Sequence, residues 1–335
     1  MNDGVILRVE GLMTSFSTEA GLVKAVDGVS FELRRGETLG LVGESGSGKS
    51  VTNLTILRLI QSPPGRIEGG KVLFEGRDLL SIPEEEVRVL RGKNISMIFQ
   101  DPLTSLNPVL RVGLQIAEAI QLHHGLGRKA ARAKAVDMMR LIGIPDAERR
   151  VDDYPHQFSG GMRQRVMIAM ALSCNPDILI ADEPTTALDV TIQAQILELI
   201  KSLSRRNSTA VIMITHDLGV VAGMCDMVCM MYAGRVVERA SVDELFYDPK
   251  HPYTRGLLDS IPRADLAGAA GPAGAGRLYS IPGAPPNLVN MPDACPFHPR
   301  CDHAMDICRR AMPPETSLPG TSPRSVRCWL HAEEG

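Results

Sequence analysis

Apolar and polar residues alternate over much of the first 42 positions, as they do in half-buried strands. Two such segments lie at 5–9 and 29–33, and a third, at 39–42, is short and almost wholly apolar. Continuous apolar runs at 178–181 and 210–214 are typical of parallel strands that are buried on both faces. The pattern therefore predicts an α/β protein with a buried parallel sheet.

Between these strands the apolar positions recur with the period of a helix. Residues 111–150 carry two apolar faces, and Gly143 ends the second helical stretch. A further amphipathic helix is predicted over 191–204, and another begins at Ser159, a favourable N-cap residue. The segment 101–108 is rich in Pro, Asn and Ser, so we predict a loop there.

The segment 43–50 reads GESGSGKS and fits the phosphate-binding pattern G-x-x-x-x-G-K-[ST]. Glycines let the backbone bend so that its N–H groups point at phosphate oxygens. Lys49 can reach the β- and γ-phosphates, and Ser50 can offer a hydroxyl to Mg²⁺. A strand precedes the segment and a helix follows it, which is the context that the motif requires. The residues expected to bind the phosphate-bearing ligand here are Gly43, Ser45, Gly46, Gly48, Lys49, Ser50 and Val51.

Two carboxylates, Asp182 and Glu183, follow the strand at 178–181 and suit the chemistry of Mg²⁺ and phosphate. We expect Asp182 to hold the metal through water, and Glu183 to orient or deprotonate an attacking water. His216 follows the next parallel strand, at the edge of the sheet where ligands bind in open α/β folds. An acidic turn and a structural histidine are the alternative interpretations.

Two further positions are compatible with a nucleotide. Gly160 and Gly161 follow Ser159 and leave bare N–H groups at a helix N-terminus, where phosphate can bind. Phe16 could stack on a base, but spacing alone does not separate that role from an ordinary core or surface position.

The composition excludes several classes of protein. The chain has 335 residues and a formal net charge of -3, so no basic excess indicates nucleic acid. The basic run at 128–134 is interpreted as a solvated helix face. No apolar run is long enough to span a bilayer, and the N-terminus lacks the features of a signal peptide. We therefore expect a cytosolic protein that reaches a membrane only through a partner.

Seven cysteines fall into two groups. Those among apolar residues are predicted to be core positions: Cys174, Cys225 and Cys229. Those near the C-terminus have the spacing C-x5-C-x6-C-x19-C: Cys295, Cys301, Cys308 and Cys328. Four thiolates fit either an iron–sulfur cluster or Zn²⁺, and the absence of tight zinc knuckles favours the larger cofactor. A tail without a cofactor, or with disulfides, is the remaining alternative.

Taken in order, these motifs resemble those of the ATP-binding subunits of ABC transporters. In such proteins the phosphate loop is followed by a Q-loop, here Gln100, and by a signature, here F-S-G-G-M at 158–162. The carboxylate strand, a D-loop at 187–189 and the switch histidine, His216, complete the series. The signature departs from the usual L-S-G-G-Q at both ends but keeps the serine and both glycines.

The resemblance is narrower still, to the dipeptide and oligopeptide importer group, and covers nearly the whole chain. It rests on the segments 99–108, 154–158 and 251–254 and on the cysteine tail. Importers of nickel and other small solutes share these features, so they remain an alternative.

The resemblance implies a fold and a division of the chain. The fold would be an ABC-type P-loop NTPase, with a RecA-like core, an antiparallel β subdomain and a helical subdomain, plus a small cysteine-rich C-terminal extension. Residues 1–260 would form the nucleotide-binding domain, with the helical subdomain at about 101–164. Residues 261–277, which are rich in Ala and Gly, would be a flexible linker, and 278–335 the extension.

The resemblance also implies a mechanism in which two cassettes close head to tail on two ATP molecules. Ser159 and Gly161 of one subunit would cover the γ-phosphate held by the other. Phe16 would stack on adenine, Gln100 would couple the Mg²⁺ site to the helical subdomain, and His216 would stabilise transferred charge. For the tail, the resemblance implies a 4Fe-4S cluster, with Zn²⁺ as the alternative.

The implied partners are a second ATPase subunit, in a heterodimer with a paralogue, two transmembrane permease subunits, and a periplasmic or extracellular peptide-binding protein. The chain would be peripheral, at the cytoplasmic face of the inner membrane, without a nucleic-acid partner. A non-transport ABC ATPase acting on nucleic acid is the alternative of another class, disfavoured by the single cassette. A scaffold that binds ATP without hydrolysis is disfavoured by Glu183 and His216.

Overall fold

Two sheets and a set of helices make up the part of the chain that the computed structural model describes, which is residues 4–186, 188–261, 280–320 and 323–332. The first sheet is antiparallel and has four strands in the order β2–β1–β4–β5. Its strands are β1 (Val5–Thr18), β2 (Gly21–Arg34), β4 (Gly65–Phe74) and β5 (Arg77–Asp78).

The second sheet has eight strands in the order β11–β12–β10–β9–β3–β8–β7–β6. The strands β9, β3, β8, β7 and β6 are parallel, whereas β10, β12 and β11 continue the sheet in antiparallel pairs. The bounds are β3 (Thr38–Val42), β6 (Ile95–Ile98), β7 (Ile178–Asp182), β8 (Ala210–Thr215), β9 (Met227–Tyr232), β10 (Arg235–Ser241), β11 (Thr316–Leu318) and β12 (Arg324–Val326). The predicted buried parallel sheet is confirmed, and residues that follow β3, β7 and β8 meet at one edge.

The helices lie mostly between the strands of the second sheet. They are α1 (Lys49–Ile56), α2 (Glu84–Leu90), α3 (Pro102–Ser105), α4 (Val112–His124), α5 (Arg128–Leu141), α6 (Ala147–Arg150), α7 (Gly160–Leu172), α8 (Val190–Asn207), α9 (Leu218–Met224), α10 (Val242–Tyr247) and α11 (Pro252–Asp259). Of the helices described, none has the length and apolar character needed to cross a membrane.

One short helix lies where the sequence predicts a loop. The α3 turn occupies four residues of the segment 101–108. Asp101 caps it by accepting a 2.8 Å hydrogen bond from the Leu103 N–H, and Pro102 stands at its first position. Both are helix-starting signals, so the loop prediction is wrong there because the local cap outweighs the average composition.

The core lies on both faces of the second sheet. Leu179 and Ala181 pack with the helical part of the chain, whereas Ile178 and Ile180 pack with the antiparallel sheet. A strand that is covered on both faces needs apolar residues at every position, which explains the continuous run. The core positions predicted for three cysteines are confirmed, since all of them are buried: Cys174, Cys225 and Cys229.

The C-terminal segment packs on this core instead of forming its own. Strand β12 pairs with β10, with Val326 opposite Glu238. The ring of Phe297 lies 5.2 Å from that of Tyr232 and 5.5 Å from that of Tyr253, measured between centroids. Of the predicted linker at 261–277, all but the first residue lies outside the described residues.

The prediction of an iron–sulfur cluster or zinc at the C-terminal cysteines is wrong. Among the described residues, which include all four cysteines, no group of three or more His, Cys, Asp or Glu side chains is placed to hold a metal ion. All four thiols are free, and those of Cys308 and Cys328 are buried. Burial raises the pKa of Cys295 and of Cys328 to about 11, which favours neutral thiols that pack as small apolar groups. Spacing along the chain does not distinguish such thiols from ligands.

Candidate functional site

The loop between β3 and α1 has a backbone shape that only glycine allows at two positions. At Gly48 the φ angle is 100°, and a Cβ atom would lie 2.3 Å from the carbonyl oxygen of Ala25. At Gly43 a Cβ atom would lie 2.2 Å from the carbonyl oxygen of Met231. The loop therefore wraps closely against its neighbours and leads directly into the N-terminus of α1, where anions bind favourably.

The Lys49 side chain is held inside this loop. Its Nζ donates to the carbonyl oxygens of Gly43 (2.7 Å) and Glu44 (2.9 Å) and to Ser47 Oγ (3.3 Å). Burial lowers the pKa of Lys49 from 10.5, against the opposing effect of nearby carboxylates, of which Glu183 is the strongest. The ammonium is thus fixed by backbone oxygens beside the position where the motif binds phosphate.

Two oxygen-bearing side chains that could bind a hard cation, Ser50 and Asp182, lie next to each other near Lys49. Ser50 Oγ donates to Asp182 Oδ1 over 3.1 Å, which joins the start of α1 to the end of β7. Burial raises the pKa of Asp182 from 3.8, mainly by desolvation. A hydroxyl and a carboxylate are ligands that Mg²⁺ prefers, so these residues fit the ion that accompanies a nucleotide. Gln100, the third predicted ligand of Mg²⁺, donates a hydrogen bond from its Nε2 to Glu183 and not to Asp182 or Ser50.

Glu183 is the meeting point of the catalytic candidates. Its Oε2 accepts hydrogen bonds from Gln100 Nε2 (3.1 Å) and Thr186 Oγ1 (2.9 Å), and its Oε1 lies 3.1 Å from His216 Nδ1. Its own φ angle is 45°, in the left-handed region that non-glycine residues rarely adopt. Such strain persists where the surroundings fix it, often at functional sites.

Burial and hydrogen bonding have opposite effects on the pKa of Glu183. Burial acts to raise its pKa, but the hydrogen bonds from Thr186 and His216 act in the opposite direction and leave the pKa below 4.5. The carboxylate is therefore ionised at neutral pH and held in one direction, as a group that orients or accepts a proton from water must be.

Thr186 is a site residue that sequence reasoning missed. It closes a turn with Glu183, its N–H donating to the Glu183 carbonyl oxygen at 3.2 Å. A hydroxyl three residues after a predicted catalytic carboxylate was the available signal, because a turn brings these two positions together.

The signature residues lie on the helical part of the chain. Ser159 caps α7 as predicted and accepts a 3.4 Å bond from the Met162 N–H. Gly161 lies against α8, where a Cβ atom would be 2.8 Å from Ile192 Cγ2. The hydrogen bonds described for Ser159 stay within its own helix, so they do not join the signature to the phosphate loop of the same chain.

The remaining predicted residues are placed as follows. Phe16 is half-buried on β1, opposite Val23 and Gly65. Val51 is half-buried in the first turn of α1. In the predicted D-loop, Ala187 lies outside the described residues, and Asp189 caps α8.

Comparison with known families finds two matches in this chain. Residues 26–186 match the family described as "ABC transporter". Residues 237–308 match the family described as "Oligopeptide/dipeptide transporter, C-terminal region". The first range includes the phosphate loop, the signature and the carboxylates, and the second includes most of β10, all of α11 and part of the C-terminal segment.

Relatives match over nearly the full length. The oligopeptide transport ATP-binding protein OppD of Salmonella typhimurium is 53% identical over 98% of this chain and 95% of its own. The dipeptide transport ATP-binding protein DppD of Bacillus subtilis is 52% identical over 97% of this chain and 94% of its own. A dimeric post-hydrolysis structure of the ATP-binding cassette MJ0796 with ADP and Pi is 25% identical, with a TM-score of 0.64 over 70% of this chain and 98% of that one. The chain therefore belongs to the ABC transporter family of ATPases and carries the C-terminal region of its oligopeptide and dipeptide transporters.

Proposed function

We propose that this chain is the ATP-hydrolysing subunit of an importer that takes up dipeptides or oligopeptides. The observation that carries the proposal is the convergence of Gln100 and His216 on Glu183, beside the Ser50–Asp182 pair. The names of relatives that match over nearly the whole chain support the substrate class.

In this proposal each residue acts on a defined part of ATP. The phosphate loop and Lys49 bind the phosphates, and Ser50 and Asp182 hold the Mg²⁺ that neutralises their charge. Glu183 orients and deprotonates the attacking water, while His216 stabilises the charge that develops on the transferred phosphoryl group. Phe16 stacks on adenine.

The complete site needs a second ATPase subunit, which we propose to be a paralogue. Its Ser159 and Gly161 counterparts would close over the γ-phosphate held by Lys49, and this chain's signature would serve the partner in return. The confinement of the Ser159 hydrogen bonds to α7 agrees with a role across an interface.

The importer would also contain two transmembrane permease subunits and a peptide-binding protein outside the membrane. The chain would sit at the cytoplasmic face of the inner membrane, with the helical subdomain, about 101–164, docked on the permease. In this proposal residues 1–260 form the nucleotide-binding domain, 261–277 a linker and 278–335 an extension.

The test measures peptide transport by the complete importer reconstituted in vesicles, with ATP added on the side of the membrane where this subunit lies. We expect uptake of labelled dipeptides or oligopeptides that depends on ATP hydrolysis and is lost in Glu183→Gln. Uptake of Ni²⁺ without uptake of peptide would replace the substrate class, and absence of ATP hydrolysis in the intact complex would overturn the proposal as a whole.

A further inference from the structure

Every polar group of Glu44, the second residue of the phosphate loop, is hydrogen-bonded, and two of the three bind residues that are far away in the sequence. Its N–H donates to Tyr253 Oη (2.9 Å), on α11, and its carbonyl oxygen accepts from Lys49 Nζ (2.9 Å). Its carboxylate accepts two bonds from Arg300, from Nη1 (2.7 Å) and Nη2 (3.0 Å). The C-terminal segment thus contacts the phosphate loop directly.

Arg300 is itself fixed by its surroundings. It is 7% exposed, and its Nε donates to the carbonyl oxygen of Pro282 (3.0 Å). Its Nη1 also reaches Tyr232 Oη (3.3 Å), at the end of β9. All three guanidinium nitrogens are hydrogen-bonded, so the orientation of the group is fixed. The bidentate pair in turn fixes the orientation of the Glu44 carboxylate.

A second contact joins the same segment to the β1–β2 hairpin. Val289 bridges Val23, and the Asn290 N–H donates to the Leu22 carbonyl oxygen (3.1 Å). Between these contacts and Arg300, residues 285, 286 and 288 line a small gap against residues 44–47 of the loop. The segment therefore runs along the phosphate loop.

We propose that Arg300 is a positioning residue that holds the phosphate loop in its ATP-binding shape through Glu44, so that the C-terminal segment sets the affinity for ATP. The inference rests on the proposed function, because it assumes that the loop binds ATP. Glu44 and Lys49 are linked through the Glu44 carbonyl oxygen, so loosening Glu44 weakens one of the three hydrogen bonds that hold the ammonium. Ordering a loosened loop on binding reduces affinity.

The effect should appear in affinity and not in chemistry. For Arg300→Gln we expect the ATP KM to rise about tenfold, equivalent to about 1.4 kcal/mol, with kcat within about twofold of wild type. The catalytic candidates Glu183 and His216 follow other strands and do not contact Arg300. Arg300→Lys keeps the charge but loses the bidentate guanidinium, so its KM for ATP should lie between those of wild type and Arg300→Gln.

The pair should also behave as a unit. Glu44→Gln alone should raise the KM by a similar factor, and the double variant Glu44→Gln/Arg300→Gln should be no worse than either single one, because the interaction is already lost. Additive single effects would show that Arg300 acts by another route.

Arg324 offers a matched control. It is another buried arginine of the C-terminal segment, and its Nη1 pairs with Asp248 Oδ2 (3.1 Å), away from the phosphate loop. Both Arg300→Gln and Arg324→Gln should lower the melting temperature, but Arg324→Gln should leave the ATP KM unchanged. This comparison separates positioning of the loop from a general loosening of the segment.

The experiment measures binding of a fluorescent ATP analogue with Mg²⁺ to the full-length chain, and ATPase kinetics in the assembled importer. Wild type should bind, Lys49→Ala should bind about 10- to 100-fold more weakly, and Arg300→Gln should bind about tenfold more weakly. Failure of wild type to bind would overturn the proposed function. Wild-type binding with equal affinity in Arg300→Gln, or an equal KM rise in Arg324→Gln, would overturn only this inference. If Arg300→Gln does not fold, Arg300→Lys and Glu44→Gln decide: unchanged affinity in both overturns the proposal.

Discussion

Glu183 and His216 follow neighbouring parallel strands and are joined by a 3.1 Å contact between Oε1 and Nδ1. The two side chains differ in exposure, since 17% of the Glu183 side chain is accessible but 64% of that of His216. The carboxylate is therefore held from several sides, while the imidazole keeps an open face toward an incoming group.

We expect Glu183→Gln to bind ATP within about twofold of wild type but to lose hydrolysis by about 100- to 10,000-fold. The amide keeps the shape of the side chain but cannot accept the proton of the attacking water. Phosphate release and nucleotide binding by the assembled complex measure the two effects separately. Glu198→Gln, an exposed position on α8, is the isosteric control. Near-normal turnover in Glu183→Gln would remove Glu183 from the role of base.

Lys49→Ala should weaken ATP binding by about 10- to 100-fold, because hydrogen bonds from a charged donor to phosphate are among the stronger ones. The variant also leaves the carbonyl oxygens of Gly43 and Glu44 without their partner. Titration with a fluorescent nucleotide gives the affinity, and a melting curve shows whether the chain still folds. Lys201→Ala, which removes an amine bonded to the Gly223 carbonyl oxygen, is the control. A folded Lys49→Ala chain with unchanged affinity contradicts the assignment.

Thr186→Val should change the pH dependence of hydrolysis. The Thr186 hydroxyl is one of two groups whose hydrogen bonds lower the pKa of Glu183 against the effect of burial. Without it the pKa of Glu183 rises, so the acid limb of the pH–rate profile should move to higher pH. Because the carboxylate also loses its orientation, we expect kcat to fall about tenfold at neutral pH. Thr185→Val is the neighbouring control, and coincident profiles for wild type and Thr186→Val would rule out this role.

His251 should make the fold less stable in acid. It is fully buried, and burial lowers its pKa from 6.5 to about 3, so the ring is neutral in the folded chain. The unfolded chain takes up a proton near pH 6.5, so stability is complete above that pH and is lost as the pH falls toward 3. The loss approaches about 1.4 kcal/mol per pH unit.

The test of this acid sensitivity is His251→Asn, which keeps an acceptor for the Tyr253 N–H at the start of α11 but does not titrate in this range. Its unfolding free energy in denaturant should depend less on pH than that of wild type between about pH 6.5 and pH 4. Parallel curves for the two proteins would show that His251 is not the group responsible.

Much of the nucleotide site follows from local sequence. The loop at 43–50, the carboxylates after β7 and the histidine after β8 depend on short patterns and on the rule that parallel strands end at one edge. Thr186 was missed because its contact with Glu183 depends on the geometry of one turn. The same residues could adopt other turns, in which the hydroxyl would not reach the carboxylate.

Contacts between distant parts of the chain were not predictable in this way. Arg300 and Glu44 are 256 positions apart, and no local pattern relates them. The metal prediction failed for a similar reason: the spacing of four cysteines is compatible with ligation, but the burial of Cys308 and Cys328 depends on where the whole segment docks. Phe297, in contact with Tyr232 and Tyr253, shows that the docking is apolar.

The pairing of β12 with β10 has a consequence for any shortened form of this protein. With β12 removed, β10 would become the outermost strand of the parallel sheet's extension and present unpaired N–H and C=O groups to solvent. Exposed strand edges of this kind recruit strands from other chains. Deleting β12 and the residues after it would therefore turn a paired edge of the sheet into a self-association surface, so that loss of solubility is the expected outcome of truncation.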